Sequence, residues 1–180
     1  MDQPLKIGLI YGSTRPGRFC DVVANWVAEQ VWNHERFALD LIDPAAQSDR
    51  AELAGQIDRA DGFIVVTPEY NHSYPAALKG LIDDATREWH AKPVAFVSYG
   101  GVSGGLRAVE HLRGVFAELH AVGIRDTVSF ADAWEQFDEQ GRMRHPERAE
   151  RSLATLLARL EWWTRALRDA RVMRAYGEAA

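Results

Sequence analysis

The sequence predicts an α/β fold: a three-layer, doubly wound sheet of five parallel strands in the order 2-1-3-4-5. Three observations lead there. Short apolar runs alternate with stretches of helical periodicity throughout the chain, which implies parallel pairing through right-handed crossovers. The strand runs are almost continuously apolar, as strands covered on both faces are. Three loops with unusual residues, 12–18, 68–75 and 99–105, each follow a strand, and open α/β sheets hold ligands beyond the carboxyl ends of their strands.

The elements follow in order. Residues 5–11 (LKIGLIY) read as the first strand. Residues 17–33 place Val22, Val23, Trp26, Val27 and Val31 at helical spacing. Residues 37–42 (FALDLI) alternate as a strand does, and a helical stretch follows near 49–60. Residues 62–67 (GFIVVT) are a short buried strand, and 75–85 a helix with Leu78, Leu81 and Ile82 on one side. Residues 93–98 are the fourth strand. Helix 104–121 aligns Leu106, Val109, Leu112, Phe116 and Leu119, and the fifth strand lies within 123–130. The polar, aperiodic segment 131–145 reads as a loop, one that would meet a partner subunit. The last helix runs from Pro146 to Arg171, with acids early and arginines late, as its dipole favours. Trp162, Trp163 and its leucine stripe read as core.

Composition bounds the function. The 180 residues fit one domain, 1–180. Apolar residues are 47% and charged residues 26%, which supports a real core. A net charge of −5 with no basic block gives no reason to expect nucleic acid. The start, Met1 to Lys6, lacks a signal-peptide layout, and no apolar run is long enough for a membrane span. One cysteine, Cys20, excludes an internal disulfide. A soluble cytoplasmic protein is the expectation. With no H-E-x-x-H and no cysteine pair, no metal site is expected. His111 and His120 read as sharing a helix on opposite faces.

The first loop, Gly12–Ser13–Thr14–Arg15–Pro16–Gly17–Arg18, offers hydroxyls, a helix N-terminus and two guanidinium groups, all suited to phosphate. It nearly matches the nucleotide motif G-x-x-x-x-G-K-[ST]. Arg18 stands for the lysine, however, and Phe19 for the magnesium-binding hydroxyl, which argues against ATP or GTP hydrolysis. In the second loop, Thr67–Pro75, two prolines fix the backbone, and Tyr70 and Tyr74 offer aromatic surface to a planar ligand. His72 there has no evident partner and reads as a surface residue. The third loop brings Gly100, Gly101, Gly104 and Gly105 to a helix start, where bare N–H groups stabilise negative charge. Cys20, near a helix start, reads as a packed small residue or as a thiol of lowered pKa.

Gly101–Val102–Ser103–Gly104–Gly105 also matches G-x-S-x-G, the nucleophile elbow of serine hydrolases. A triad of Ser103, Asp126 or Asp132, and His145 would have the right chain order. No HGGG oxyanion segment is present, and this reading leaves the first two loops unexplained. A flavin-binding redox module without turnover is a further alternative.

Three stretches, "GSTRPGR" (12–18), "TPEYNHSYPAALKGLID" (67–83) and "KPVAFVSYGGVSGGLRAVEHLR" (92–113), resemble the NADPH-dependent FMN reductase family. These are flavodoxin-like proteins that include quinone, azo-dye and chromate reductases. The resemblance implies FMN as cofactor and NADPH or NADH as hydride donor, with a quinone, azo compound or free flavin as acceptor. It implies that Ser13, Arg15 and Arg18 hold the FMN phosphate. It implies that Pro68, Glu69, Tyr70 and Asn71 line the isoalloxazine, largely through backbone, and that Tyr99, Gly100, Gly101, Val102, Ser103 and Gly104 wrap its pyrimidine end. The chemistry would then rest on FMN, with no catalytic side chain. Many members carry Ser and Asn later in the first loop, where this chain has Arg18 and Asp21. A homodimer or tetramer is also implied, packing helices 75–85 and 104–121 together, with Ala77, Leu78, Leu81 and Ile82 suited to the interface.

Overall fold

The computed structural model describes residues 3–46 and 49–178. Met1 and Asp2, at the start of the stretch read for a leader, lie outside the described residues. In chain order the elements are β1 (Leu5–Tyr11), α1 (Cys20–Trp32), β2 (Phe37–Ile42), α2 (Arg50–Arg59), β3 (Gly62–Pro68), α3 (Ala76–Asp83), β4 (Pro93–Tyr99), α4 (Leu106–Glu118), β5 (Val122–Phe130), α5 (Ala133–Gln136) and α6 (Glu147–Met173). The sheet order is β2-β1-β3-β4-β5, and every pair is parallel.

The continuous apolar runs have the predicted cause. Every residue of β3 and β4 is buried, because helices cover both faces. Successive side chains alternate between two cores, as a period of two requires. Ile64 and Val66 face α1 and α6, while Phe63 and Val65 face α2, α3 and α4. Trp89 fills the centre of the second core with no exposure, and its indole N–H donates to Ile82 O at 3.1 Å. At the amino edge, Lys92 is buried, with Nζ donating to Ile57 O and Asp58 O at 2.7 Å each, on the last turn of α2. Burial, assisted by Arg171, holds its pKa down to about 8.

Four expectations change. Leu78 and Ile82 are fully buried and Leu81 is 4% exposed, so these three cover the sheet rather than offering an apolar face to a partner. Trp162 stands 62% exposed, because the leucines of α6 already fill its inward stripe; of the two tryptophans, Trp163 packs on the core. The segment 131–145 holds a short helix, α5, and a bridge between Phe137 and Met143. His120 lies past the end of α4 with φ 55°, so it does not share a helix with His111.

Candidate functional site

The three loops meet at the carboxyl edge of β1, β3 and β4. Gly12 opens the first by donating to Val66 O at 2.7 Å. A Cβ there would stand 2.5 Å from that oxygen, so only glycine lets the chain pass. Ser13 is buried, and its hydroxyl shares a 2.8 Å hydrogen bond with the Tyr70 hydroxyl, which joins loops one and two. The exposed Arg15 guanidinium lies over the Tyr70 ring, 3.7 Å from its centroid. Phe19 precedes α1 and gives its first turn no side-chain cap. Among the described residues, the N–H groups of Thr14, Gly17, Phe19 and Cys20 have no acceptor, while that of Ser13 is turned to the Cys20 thiol. Unpaired donors at a helix start are an anion site.

Arg18 departs from the expectation. Its guanidinium pairs with both oxygens of Asp43, with Asp21 at 2.7 Å, and with the Ser13 carbonyl. Its side chain is 10% exposed. A fork already closed on two carboxylates is not presented to a phosphate. Arg18 instead ties the first loop to the end of β2. Its hydrogen bond lowers the pKa of Asp43.

The second loop turns on a two-residue hairpin. Tyr70 and Ser73 exchange backbone hydrogen bonds of 2.8 and 3.0 Å. Asn71 (φ 50°) and His72 (φ 68°) both take the left-handed conformation that this tight turn needs. His72 is exposed and holds the turn through its backbone. Pro68 ends β3 opposite Tyr99. Tyr74 is partly buried and packs against the core.

Glu69 joins loops two and three. Its N–H donates to Tyr99 O at 3.3 Å. Its carboxylate accepts from Ser103 Oγ (2.8 Å), Arg107 N–H (3.2 Å) and Arg107 Nε (2.6 Å). Burial alone would raise the pKa of this carboxyl; the hydrogen bonds and the charge of Arg107 outweigh it and hold the group below the usual value. Sequence reasoning misses Arg107, which looks there like one solvated helix residue among many.

The third loop is pinned from beneath. Gly104 O accepts from Ser98 Oγ and Ser129 Oγ, both at 2.8 Å. Gly105, at φ 83°, lies so close that a Cβ would meet the Tyr99 backbone at 2.9 Å. Among the described residues, the N–H groups of Gly101, Val102 and Ser103 are unpaired. Tyr99 is 6% exposed, tilted against Phe19, so only its backbone belongs to the loop. Ser103 donates to a carboxylate and, among the described residues, hydrogen-bonds no histidine, the reverse of the arrangement that activates a serine. His111 bonds Ser73 instead, at 2.9 Å. Cys20 is buried with its pKa raised by burial, so the packed reading holds.

One edge of the sheet thus carries an anion cradle and, beside it, a flat backbone cradle rich in donors. With the sheet order, this makes the molecule a flavodoxin-like protein with a site suited to a phosphorylated planar ring. The chain belongs to the NADPH-dependent FMN reductase family, whose model matches residues 5–135. These are oxidoreductase enzymes that work with FMN and a reduced nicotinamide. An NAD(P)H-dependent FMN reductase of Schizosaccharomyces pombe is 38% identical over 120 residues, 56% of this chain and 60% of that protein. A quinone reductase of Escherichia coli K12 is 35% identical over 140 residues, 68% of this chain and 74% of that protein. Among solved structures, the NAD(P)H:(acceptor) oxidoreductase FerB of Paracoccus denitrificans shares the fold with a TM-score of 0.74. It is 21% identical, and the match covers 89% of this chain and 98% of that one.

Proposed function

We propose that the protein is an NAD(P)H-dependent FMN oxidoreductase that reduces small planar acceptors, quinones first, and azo compounds or free flavin by the same route. The observation that carries this is the pair of donor sets, N–H groups 14, 17, 19 and 20 and N–H groups 101–103, which fit a phosphate and a ring edge. Ser13 and Arg15 hold the phosphate together with the first set, and Arg18 positions that loop through Asp43. Pro68, Glu69, Tyr70 and Asn71 line the ring. Tyr99, Gly100, Gly101, Val102, Ser103 and Gly104 wrap its pyrimidine end, where unpaired N–H groups stabilise charge gathering on the ring. FMN, when bound, supplies the two-electron chemistry, taking hydride from the nicotinamide and passing it on. The balance is NADPH, a proton and a quinone in, NADP and a hydroquinone out. No side chain is asked to act as nucleophile. Among the described residues, no helix is long and apolar enough to cross a membrane. A cytoplasmic location is part of the proposal, in keeping with a reduced nicotinamide as donor.

We also propose a homodimer or tetramer packed through α3 and α4. Their outward faces carry Ala76, Gly80, Gly114 and Ala117, all exposed, and nothing stands within 4 Å of where a Cβ on either glycine would be. Small residues let a second helix approach closely.

Flavin titration tests the site. FMN binds more tightly than riboflavin, and the NADPH-reduced protein passes its electrons to a naphthoquinone. Equal affinity for the two flavins overturns the phosphate cradle.

A further inference from the structure

We infer that Trp134, with Val102 beside it, forms the wall against which a planar acceptor packs, and so sets the preference for aromatic acceptors. This rests on the flavin reading of the same site. The indole is 58% exposed, as those of Trp32 and Trp162 also are to a similar degree, but among the described residues only here does the backbone hold it against one of the three loops. Ala133 and Phe137, four residues apart, are both buried, which turns Trp134 outward. The turn before it is fixed to the third loop. Asp132, at φ 45°, donates to Gly101 O at 3.1 Å, and Ala133 donates to Gly100 O at 3.2 Å. Gln136 Nε2 closes the far side by donating to Ala131 O at 2.6 Å. The ring is therefore presented from a rigid support.

Its place relative to the site is defined. Cη2 of Trp134 lies 3.7 Å from where a Cβ on Gly101 would stand. Gly101 and the two residues after it carry the unpaired N–H groups assigned to the flavin edge. Val102, next in the chain, is 88% exposed. An apolar wall thus rises directly beside the donors that hold the ring. A quinone is flat and apolar and gains from stacking or edge contact with an indole; a compact, hydrated inorganic anion does not. The flavin is held by backbone, so the wall is left to select the second substrate.

The test compares Trp134→Ala and Trp134→Phe with the wild type. Aromatic contacts of this kind amount to about 2- to 12-fold in affinity. The ratio of kcat/KM for a naphthoquinone to that for ferricyanide falls by that factor in Trp134→Ala, through KM, and recovers in Trp134→Phe. FMN affinity is followed by flavin fluorescence in the same samples. An independent readout needs no turnover: without NADPH, the naphthoquinone quenches tryptophan emission saturably, and Trp134→Phe loses that component. An unchanged selectivity ratio in Trp134→Ala, or a saturable quench that persists in Trp134→Phe, overturns the inference. If the wild type fails to bind FMN, the flavin reading falls separately, and the quenching titration alone decides whether Trp134 receives a planar ring.

Discussion

Replacing Arg18 by methionine separates the two arginines of the first loop. The Arg18 side chain is 10% exposed and that of Asp43 25%, and the pair closes through two parallel hydrogen bonds. Exposed ion pairs contribute about 0–1 kcal/mol, while removing one partner of a buried pair costs about 3–5 kcal/mol. Asp43 would keep the Ala45 N–H at 2.9 Å and some water, so Arg18→Met should cost about 2–3 kcal/mol, between these limits. For a chain of this size that lowers Tm by about 4–12 °C. The pH dependence has a definite sign. The hydrogen bond from Arg18 lowers the folded pKa of Asp43 below its unfolded value of about 3.9. The contribution is complete above that value and is lost as pH falls through the folded pKa, so wild type and mutant converge in acid. Arg15→Ala should behave oppositely. Arg15 is exposed and rests on the Tyr70 ring, so stability changes by at most about 1 kcal/mol. FMN affinity, however, falls about 10- to 150-fold with a lost charged hydrogen bond. Urea unfolding followed by circular dichroism and calorimetric FMN titration read the two effects. A variant Arg18→Met with the wild-type unfolding midpoint and collapsed FMN binding would refute the structural assignment.

Ser103→Ala should keep NADPH-dependent quinone reduction within about tenfold, the worth of one hydrogen bond of about 0.5–1.5 kcal/mol, and the wild type should resist an organophosphonate probe; stoichiometric labelling at Ser103 would restore the hydrolase reading. Turnover should be ping-pong, because both substrates use one crevice, so parallel double-reciprocal lines are expected and intersecting lines count against a shared site. Lys92 has a folded pKa of about 8, against about 10.4 unfolded. Between those values the unfolded chain binds more protons, so stability rises with pH. Lys92→Met should lose that rise, on the order of 2 kcal/mol, in urea titrations at about pH 7.5 and about pH 10, which span most of the window between the two values; an identical slope in the mutant would refute it. Light scattering at micromolar concentration should show a dimer or tetramer, and an active monomer would remove the α3–α4 interface.

The layers, the strand order and the three loops of the candidate site are legible in the chain before it folds. Those features are local. Apolar runs such as GFIVVT (62–67), helical spacing, and glycines placed where the chain must turn are all written in neighbouring residues. Gly12 and Gly105 are legible for this reason, since each stands where the backbone turns sharply out of a strand or into a helix, and each is required by a close backbone approach. How the charged groups are shared is settled only when distant segments meet. Arg18 and Asp43 lie 25 residues apart, and Glu69 lies 34 from Ser103 and 38 from Arg107. An arginine in a loop looks the same in sequence whether it awaits a phosphate or is already closed on a carboxylate. Trp134 is hidden for a related reason: a tryptophan counts as apolar in any periodicity, and its exposure follows from Ala133 and Phe137 taking the inward places. Periodicity names the residues that are able to be buried; which of them are buried, and which charges remain available to a ligand, depends on the space and partners that distant strands and helices leave.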